Sequence, residues 1–162
     1  MIFAGRAPTG MSPIYQTFLS TLSRSFLLRW RVLSILFQLT ALFCLLQSRE
    51  EIVSWSLGGP PYTETDFQSY KRSCETGLAL TFVSLLVPTA GYLSGRTTRE
   101  EALSTFHASC HTISGVMLIS LWVLKAHFVR VWHIFYFFSA PPLALEGVAL
   151  YQLHRSGLYQ WW

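Results

Sequence analysis

Four long apolar segments, separated by short polar stretches, constrain this chain more than any other feature. They lie at about 32–47, 77–95, 102–124 and 131–153. An α-helix needs roughly 20 predominantly apolar residues to cross the hydrocarbon core of a bilayer, and these segments have about that length. The sequence therefore predicts an all-α integral membrane protein, a four-helix transmembrane bundle with short loops.

The composition agrees with a chain that is largely withdrawn from water. Of 162 residues, 51% are hydrophobic and only 12% are charged, whereas soluble domains carry about 25% charged residues. The net charge of +4 comes from basic residues that lie singly between apolar segments, so no nucleic-acid partner is expected. Cys44, Cys74 and Cys110 are too widely spaced for a disulfide framework or a metal-binding pair, and they are expected to be reduced structural thiols.

The first apolar segment is short and lies between two arginines, Arg31 and Arg49. Both side chains are expected to extend towards the membrane surface, and the helix can begin as early as Phe26. The alternative is a cleaved signal peptide, because a basic stretch precedes the apolar one. No small-residue cleavage site follows in Ser48–Glu51, which argues against that alternative.

The segment boundaries divide the chain into three parts. Residues 1–25 are expected to form a flexible N-terminal extension, with a helix at the membrane surface around 15–29. Residues 26–153 form the four-span domain, and residues 154–162 form a short C-terminal tail.

The second helix has a readable beginning. Thr63 fits an N-cap, Asp66 stands at the position of the capping acid, and Tyr62 and Phe67 are spaced as a hydrophobic staple. Proline inside a helix removes a hydrogen bond and crowds the preceding turn. The sequence therefore predicts kinks in the second helix at Pro88 and in the fourth at Pro141 and Pro142.

Two histidines and one glutamate are the ionisable side chains that lie deep in the spans. His107 and His111 share one face of the third helix, and Glu146 lies at a depth in the fourth that matches His111. We expect His111 and Glu146 to form a structural polar pair, because an unpaired charge in a membrane is costly. A proton relay or ion path, and a metal or haem site on the two histidines, are the alternatives. A metal would need a third ligand, and none is apparent, so neither metal nor cofactor is expected.

The chain shows no motif of a soluble catalytic site. No GxSxG, P-loop, GxGxxG or paired carboxylates occur in its polar segments, so we expect no enzymatic activity and no small-molecule substrate.

Four spans place both termini on the same side of the membrane. Cytoplasmic loops carry an excess of Lys and Arg, and seven basic residues on the terminal side against five on the other predict cytoplasmic termini. The seven are Arg6, Arg24, Arg29, Arg31, Arg96, Arg99 and Arg155, and the five are Arg49, Lys71, Arg72, Lys125 and Arg130.

Several strings, in order, resemble the transmembrane protein 107 family of small four-span proteins. The first span closes with Ser48-Arg49, and an aromatic-Thr-x-x-acid start follows at Tyr62. The second span ends in GYLSG (Gly91–Gly95), the third carries His111, and the fourth contains WHIFYFFSAPPLALE (Trp132–Glu146).

The resemblance covers about Arg31 to Tyr151 and has three departures. The N-terminus is longer by roughly two dozen residues, Pro88 replaces an acidic residue, and His107 has no counterpart in the family pattern. These departures weaken a polar site in the second span and a histidine-pair metal site.

What the resemblance implies is a non-enzymatic scaffold of the ciliary transition zone. Such proteins help to assemble the Meckel-syndrome module and the diffusion barrier of the ciliary membrane, and they are needed for cilium assembly. The partners it implies are membrane lipids and other transition-zone proteins: tectonic-like, B9-domain and small multispan proteins. The alternative is an accessory subunit of a large mitochondrial or other membrane complex. A third reading is a small transporter or membrane enzyme using Glu146 and the histidines.

Overall fold

The computed structural model describes residues 13–58, 61–93 and 101–155, with side chains from Ser25 onwards except Leu153. No strand occurs in these ranges, and four helices are long and apolar enough to cross a membrane, which confirms the predicted all-α four-span architecture. The candidate spans are Ser25–Gln47, Glu64–Leu93, Glu101–Val123 and Arg130–Gln152.

Six α-helices and one π-helical segment make up the described part of the chain. The fourth span is continuous but irregular, because α5, the π-helical segment and α6 follow one another without a break. The elements are α1 Pro13–Gln47, α2 Arg49–Ser56, α3 Glu64–Leu93, α4 Glu101–Val123, α5 Arg130–Ile134, the π-helical Phe135–Ser139 and α6 Ala140–Arg155.

Helix α1 extends into the region expected to be flexible. It begins at Pro13 and runs without interruption to Gln47, so the expected surface helix and the first span are one helix. Residues 1–12 of the N-terminal extension and 156–162 of the C-terminal tail lie outside the described residues.

The cap of α3 has the geometry that its sequence predicts. The backbone N–H of Asp66 donates to Oγ1 of Thr63 at 3.3 Å, and the Thr63 hydroxyl also contacts the Asp66 carboxylate. The rings of Tyr62 and Phe67 stack with centroids 5.5 Å apart. A cap of this kind stabilises a helix by about 1 kcal/mol and fixes where α3 starts.

Helices α1 and α4 pack along each other in parallel, and α3 and α6 form the second close pair. The buried positions on α1 and α4 recur every seven residues, which is the spacing of a left-handed helix pair. Gly115 permits the close approach, since a Cβ there would lie 2.5 Å from a ring carbon of Phe37. The seven-residue series are Arg31, Gln38 and Leu45 on α1 and His107, Ser114 and Leu121 on α4.

Helix α2 closes the end of the bundle opposite the termini. Its own residues Ile52 and Val53 are fully buried against the bundle, and its Ser56 hydroxyl accepts a hydrogen bond from the Phe128 amide at 2.9 Å. Lys71 of α3 donates to Glu50 at 2.6 Å and holds the pKa of that carboxyl below its usual range. This end of the bundle is therefore an ordered cap.

The prolines lie where the sequence places them, inside α3 and at the start of α6. Pro88 is within a continuous helix, and Pro141 and Pro142 fall in the first turn of α6, directly after the π-helical segment. Because α6 continues the helix without a break, each of these two prolines leaves a carbonyl oxygen of the preceding turn without an N–H donor. The kinks expected at these positions stay predictions.

Candidate functional site

A buried arginine joins all four spans at one point. The Nη2 atom of Arg31 on α1 lies 3.4 Å from Oε2 of Glu146 on α6 and 3.3 Å from the carbonyl oxygen of Pro88 on α3. The same atom lies 3.0 Å from Nδ1 of His107 on α4. The guanidinium carbon also lies 5.5 Å from the centre of the Tyr92 ring. We call these five residues the arginine cluster.

Arg31, His107 and Glu146 lie at one depth in the membrane. Arg31 and His107 are each six residues from the start of their span, and Glu146 is six residues from the end of its own. At 1.5 Å per residue, each lies about 9 Å from the end of its span on the terminal side. The side chains of Arg31, His107 and Glu146 are fully buried, so the ion pair is withdrawn from both water and lipid.

The π-helical segment turns Glu146 towards the bundle interior. Before it, Val131 and Ile134 are buried at a spacing of three residues, and the next buried residue is Ser139, five residues later. An α-helix would bring a residue three or four positions on to that face. The extra residue of the π-turn therefore places Ser139, and Glu146 seven residues beyond it, on the inner face of α6.

Gly91 of α3 makes room for the carboxylate. A Cβ at this position would overlap an oxygen of Glu146 and lie only 2.7 Å from its Cδ. No real side chain tolerates that approach, so the glycine and the glutamate are geometrically matched. The GYLSG string that ends the second span thus supplies both Gly91 and Tyr92 to the arginine cluster.

The hydrogen bonds fix the form of His107. An arginine can only donate, so Nδ1 of His107 accepts the hydrogen bond from Arg31. The ring is then neutral, with its proton on Nε2. Nδ1 of His107 and Oε2 of Glu146 lie 3.6 Å apart. They do not bond to each other, because both accept from Nη2 of Arg31. The only formal charges of the cluster are those of Arg31 and Glu146, which balance.

A second polar layer lies deeper in the bundle and involves His111. Gln38 of α1 accepts from Nδ1 of His111 at 2.7 Å and donates to the hydroxyls of Ser114 at 2.9 Å and Ser139 at 3.4 Å. Gln38 and Ser114 are each 13 residues from the start of their span, which is about 20 Å. We call these four residues the glutamine layer, and it joins α1, α4 and the π-helical segment.

The predicted polar pair of His111 and Glu146 is not present among the described contacts. His111 and Glu146 are both buried, but among the described contacts they are not partners, since His111 bonds Gln38 and Glu146 bonds Arg31. The neighbour of Glu146 on α4 is His107, one helical turn earlier. The prediction for Arg31 was also wrong. Its side chain does not extend to the membrane surface but is fully buried.

Sequence reasoning missed Arg31 and Gln38, although a signal for both exists. They are seven residues apart on α1, as His107 and Ser114 are on α4, so two polar series share one heptad spacing. Matching polar series on two spans indicate facing helices. The isolated carboxylate of Glu146 likewise demanded a cation, and Arg31 is the basic side chain at its depth.

Some hydrogen-bonding capacity remains inside the bundle. Buried polar atoms are usually paired, so unpaired atoms mark where a structure can accommodate a further polar group. Within the described residues, no group of three or more His, Cys, Asp or Glu is arranged to hold a metal ion. The unpaired buried atoms are Nε and Nη1 of Arg31, Oγ of Ser104, Nε2 of His107, Nε2 of His111 and Oε1 of Glu146.

The chemistry of the arginine cluster is that of a lock between helices. One charged donor is shared by an acceptor from each of the other three spans, and the charges balance within the cluster. Removing the first or the fourth span would leave a charge unpaired in a membrane, at a cost of several kcal/mol, and removing the second or the third would take one acceptor from the guanidinium. The geometry therefore favours a fixed arrangement of the four spans.

Comparison with known proteins identifies the family. The TMEM107 family model, described as a transmembrane protein, matches residues 27–150, which include all members of the arginine cluster and the glutamine layer. No curated protein and no solved structure matches the chain. Because the family model covers most of the sequence, the chain belongs to the TMEM107 family of transmembrane proteins.

Proposed function

We propose that this protein is a non-enzymatic membrane scaffold of the ciliary transition zone. It would help to assemble the Meckel-syndrome module and the diffusion barrier that controls ciliary membrane composition, and it would be needed for cilium assembly. The observation that supports this proposal is its membership of the TMEM107 family over residues 27–150.

The internal structure suits a scaffold. The ionisable side chains deep in the described spans bond to polar groups on neighbouring helices. Arg31 bonds Glu146 in the arginine cluster, and His111 bonds Gln38 in the glutamine layer. A bundle held in this way presents constant outer faces to its neighbours. Lateral assembly within the membrane then depends on packing between those faces.

The fourth span offers the largest uncovered surface for such assembly. Only 22% of its most apolar window is buried inside the bundle, compared with 39–44% for the other three. Outward aromatic side chains contribute to this surface, with Tyr136 60% and Phe137 67% exposed. We propose that the fourth span contacts other transition-zone membrane proteins, of the tectonic-like, B9-domain or small multispan kinds.

Localisation tests the proposed function directly. A tagged copy expressed in a ciliated cell should concentrate in a ring at the base of the cilium. A mitochondrial pattern would contradict the proposal and support the alternative, an accessory subunit of a mitochondrial complex. Proximity labelling from the ring should then recover transition-zone membrane proteins.

Two matched substitutions test the lateral contact of the fourth span. Val148 on α6 and Val116 on α4 are exposed to nearly the same extent, 52% and 53%. Val148→Trp should reduce retention in the ring and recovery of partners, because it disturbs the proposed contact face. Val116→Trp adds the same bulk elsewhere and should leave both unchanged. Equal effects of the two changes would contradict a contact through the fourth span.

A further inference from the structure

A bounded apolar pocket opens between the first two spans, near the end closed by α2. It has a volume of about 290 Å³ and is lined by one acidic and six apolar residues. That volume is at the lower end of the range for small-molecule sites, which is about 300–1,000 Å³. The lining residues are Leu42, Phe43 and Leu46 of α1 and Glu75, Leu78, Ala79 and Phe82 of α3.

The pocket is closed by contacts between α1 and α3 at both of its ends. Towards the bilayer centre, the rings of Phe43 and Phe82 meet edge to face with centroids 6.3 Å apart. Towards the membrane surface, Nε of Arg49 donates to Oε1 of Glu75 at 2.8 Å. From Glu75 to Phe82 the pocket is about 10 Å long at 1.5 Å per residue, roughly a third of the hydrocarbon thickness.

The surface end of the pocket carries two guanidinium groups and the carboxylate of Glu75, and within the described part of the chain the Arg49–Glu75 ion pair leaves Arg72 as the unpaired charge there. Arg49 lies there. Arg72 lies one helical turn before Glu75, towards the membrane surface, and residues 72, 75 and 79 share one face of α3. Among the described contacts, the exposed Arg72 side chain has no hydrogen bond or ion pair. Guanidinium groups bind phosphate with charge-assisted hydrogen bonds, so this position suits a phosphate at the level of the lipid headgroups.

From this geometry we propose that the pocket binds one glycerophospholipid. A segment of one acyl chain occupies the space between the Phe43–Phe82 contact and the Arg49–Glu75 ion pair, and the phosphate is held by Arg72 and Arg49. Lipid tails are as apolar as the lining, so burial from water contributes nothing to this selection. The shape of the pocket and the phosphate contact provide it. The proposal is independent of the ciliary role.

Photo-crosslinking in detergent micelles tests the proposal. The full chain in a non-ionic detergent is mixed with a small amount of phosphatidylcholine that carries a photoreactive group in mid-chain. After irradiation, digestion and mass spectrometry locate the labelled peptides. Label should concentrate on 42–46 and 78–82. Labelling spread evenly over outward-facing residues of all four spans would overturn the proposal, as would labelling of the pocket by a photoreactive sterol and not by the phospholipid.

Substitutions on α3 provide matched controls for the pocket. Ala79→Trp fills the pocket and should abolish the concentrated label, whereas Val83→Trp, at an exposed position on the same helix outside the pocket, should leave it unchanged. Leu46→Trp fills the pocket from α1 and replaces Ala79→Trp if that variant does not elute as a monodisperse protein. Concentrated label that survives both filling variants would overturn the proposal.

A second pair of substitutions tests the phosphate contact. Arg72→Gln should lower the pocket label about tenfold, as expected when one hydrogen bond to a charged group is lost. Arg130→Gln removes an exposed basic side chain from the same end of the bundle and should have no effect. Equal label in wild type and Arg72→Gln would overturn the role of the phosphate. A photoreactive free fatty acid that labels as strongly as the phospholipid would do so as well.

Discussion

Arg31 and Glu146 form an ion pair whose two side chains are both fully buried. Removing one partner strands the other charge inside the membrane, so Arg31→Met or Glu146→Leu should each destabilise the bundle by about 3–5 kcal/mol. The double variant replaces both charges with apolar groups and should lose less stability than the sum of the single variants. Thermal unfolding of the purified protein in detergent measures these differences. Strictly additive losses would mean that the two side chains do not interact.

Gly91 provides a second test at the residue scale, independent of charge. Gly91→Ala should destabilise the bundle, because the new Cβ overlaps the Glu146 carboxylate and displaces it from Arg31. Gly147 is the matched control, since a Cβ there meets nothing within 4 Å. Gly147→Ala should be neutral or stabilising by up to about 1 kcal/mol, because alanine is the better helix former. The same detergent unfolding assay compares the two, and equal losses would contradict the proposed fit.

The sequence made part of this cluster predictable. A lone carboxylate deep in a span signals a buried partner, and Glu146 does have one. Arg31 was missed as this partner, because it directly precedes an apolar run and resembles an anchor at the end of a helix. Depth counted along the chain also could not separate His107 from His111, which are one turn apart on the same face.

At the scale of elements, the π-helical segment Phe135–Ser139 sets which face of α6 points inward. Deleting Phe137, an outward side chain within it, removes the extra residue, so that Ser139 follows Ile134 at the α-helical spacing of four and stays on the inner face with Glu146. We expect this deletion to keep the ion pair and to cost far less than its loss, which is about 3–5 kcal/mol. Deleting Leu145, an exposed residue between Ser139 and Glu146, turns Glu146 out of the interior and should cost at least that much.

Protein yield and monodispersity in detergent separate the two deletions. Equal effects of the Phe137 and Leu145 deletions would show that the register of α6 does not depend on the π-turn. The cap of α3 at Thr63 was predictable from local sequence, because it depends on residues within one turn. The π-turn was not, because an extra residue in a helix leaves the apolar composition of the span unchanged, and only burial of Val131, Ile134 and Ser139 reveals it.

At the scale of the whole molecule, the pairing of spans follows packing and not chain order. The first span packs chiefly against the third, and the second against the fourth. Hydropathy and short loops predict four neighbouring helices but not which pairs touch most closely. That choice is made by residues such as Gln38, which bonds Ser114, and Gly115, whose lack of a Cβ lets α1 and α4 approach. The two close pairs leave the pocket between α1 and α3 on the lipid-facing side.

The predicted orientation depends on the excess of basic residues on the terminal side of the membrane, and the structure reduces that excess. Seven basic residues on the terminal side opposed five on the other, but Arg31 is buried in the bundle, which leaves six against five. Residues 1–12 and 94–100, which carry three of those six, lie outside the described residues. Cytoplasmic termini therefore remain a proposal that needs a direct test.

Glycosylation provides that test. An Asn-Gly-Thr acceptor inserted after Gly58, in the loop between α2 and α3, should receive a glycan if the termini are cytoplasmic, because this loop then faces the lumen during synthesis. The same acceptor appended after Trp162 should stay unmodified. A mobility shift removed by a glycosidase reports the modification on a gel. Modification at the C-terminus and not in the loop would reverse the orientation, and the arginine cluster would then lie in the half of the membrane away from the cytoplasm.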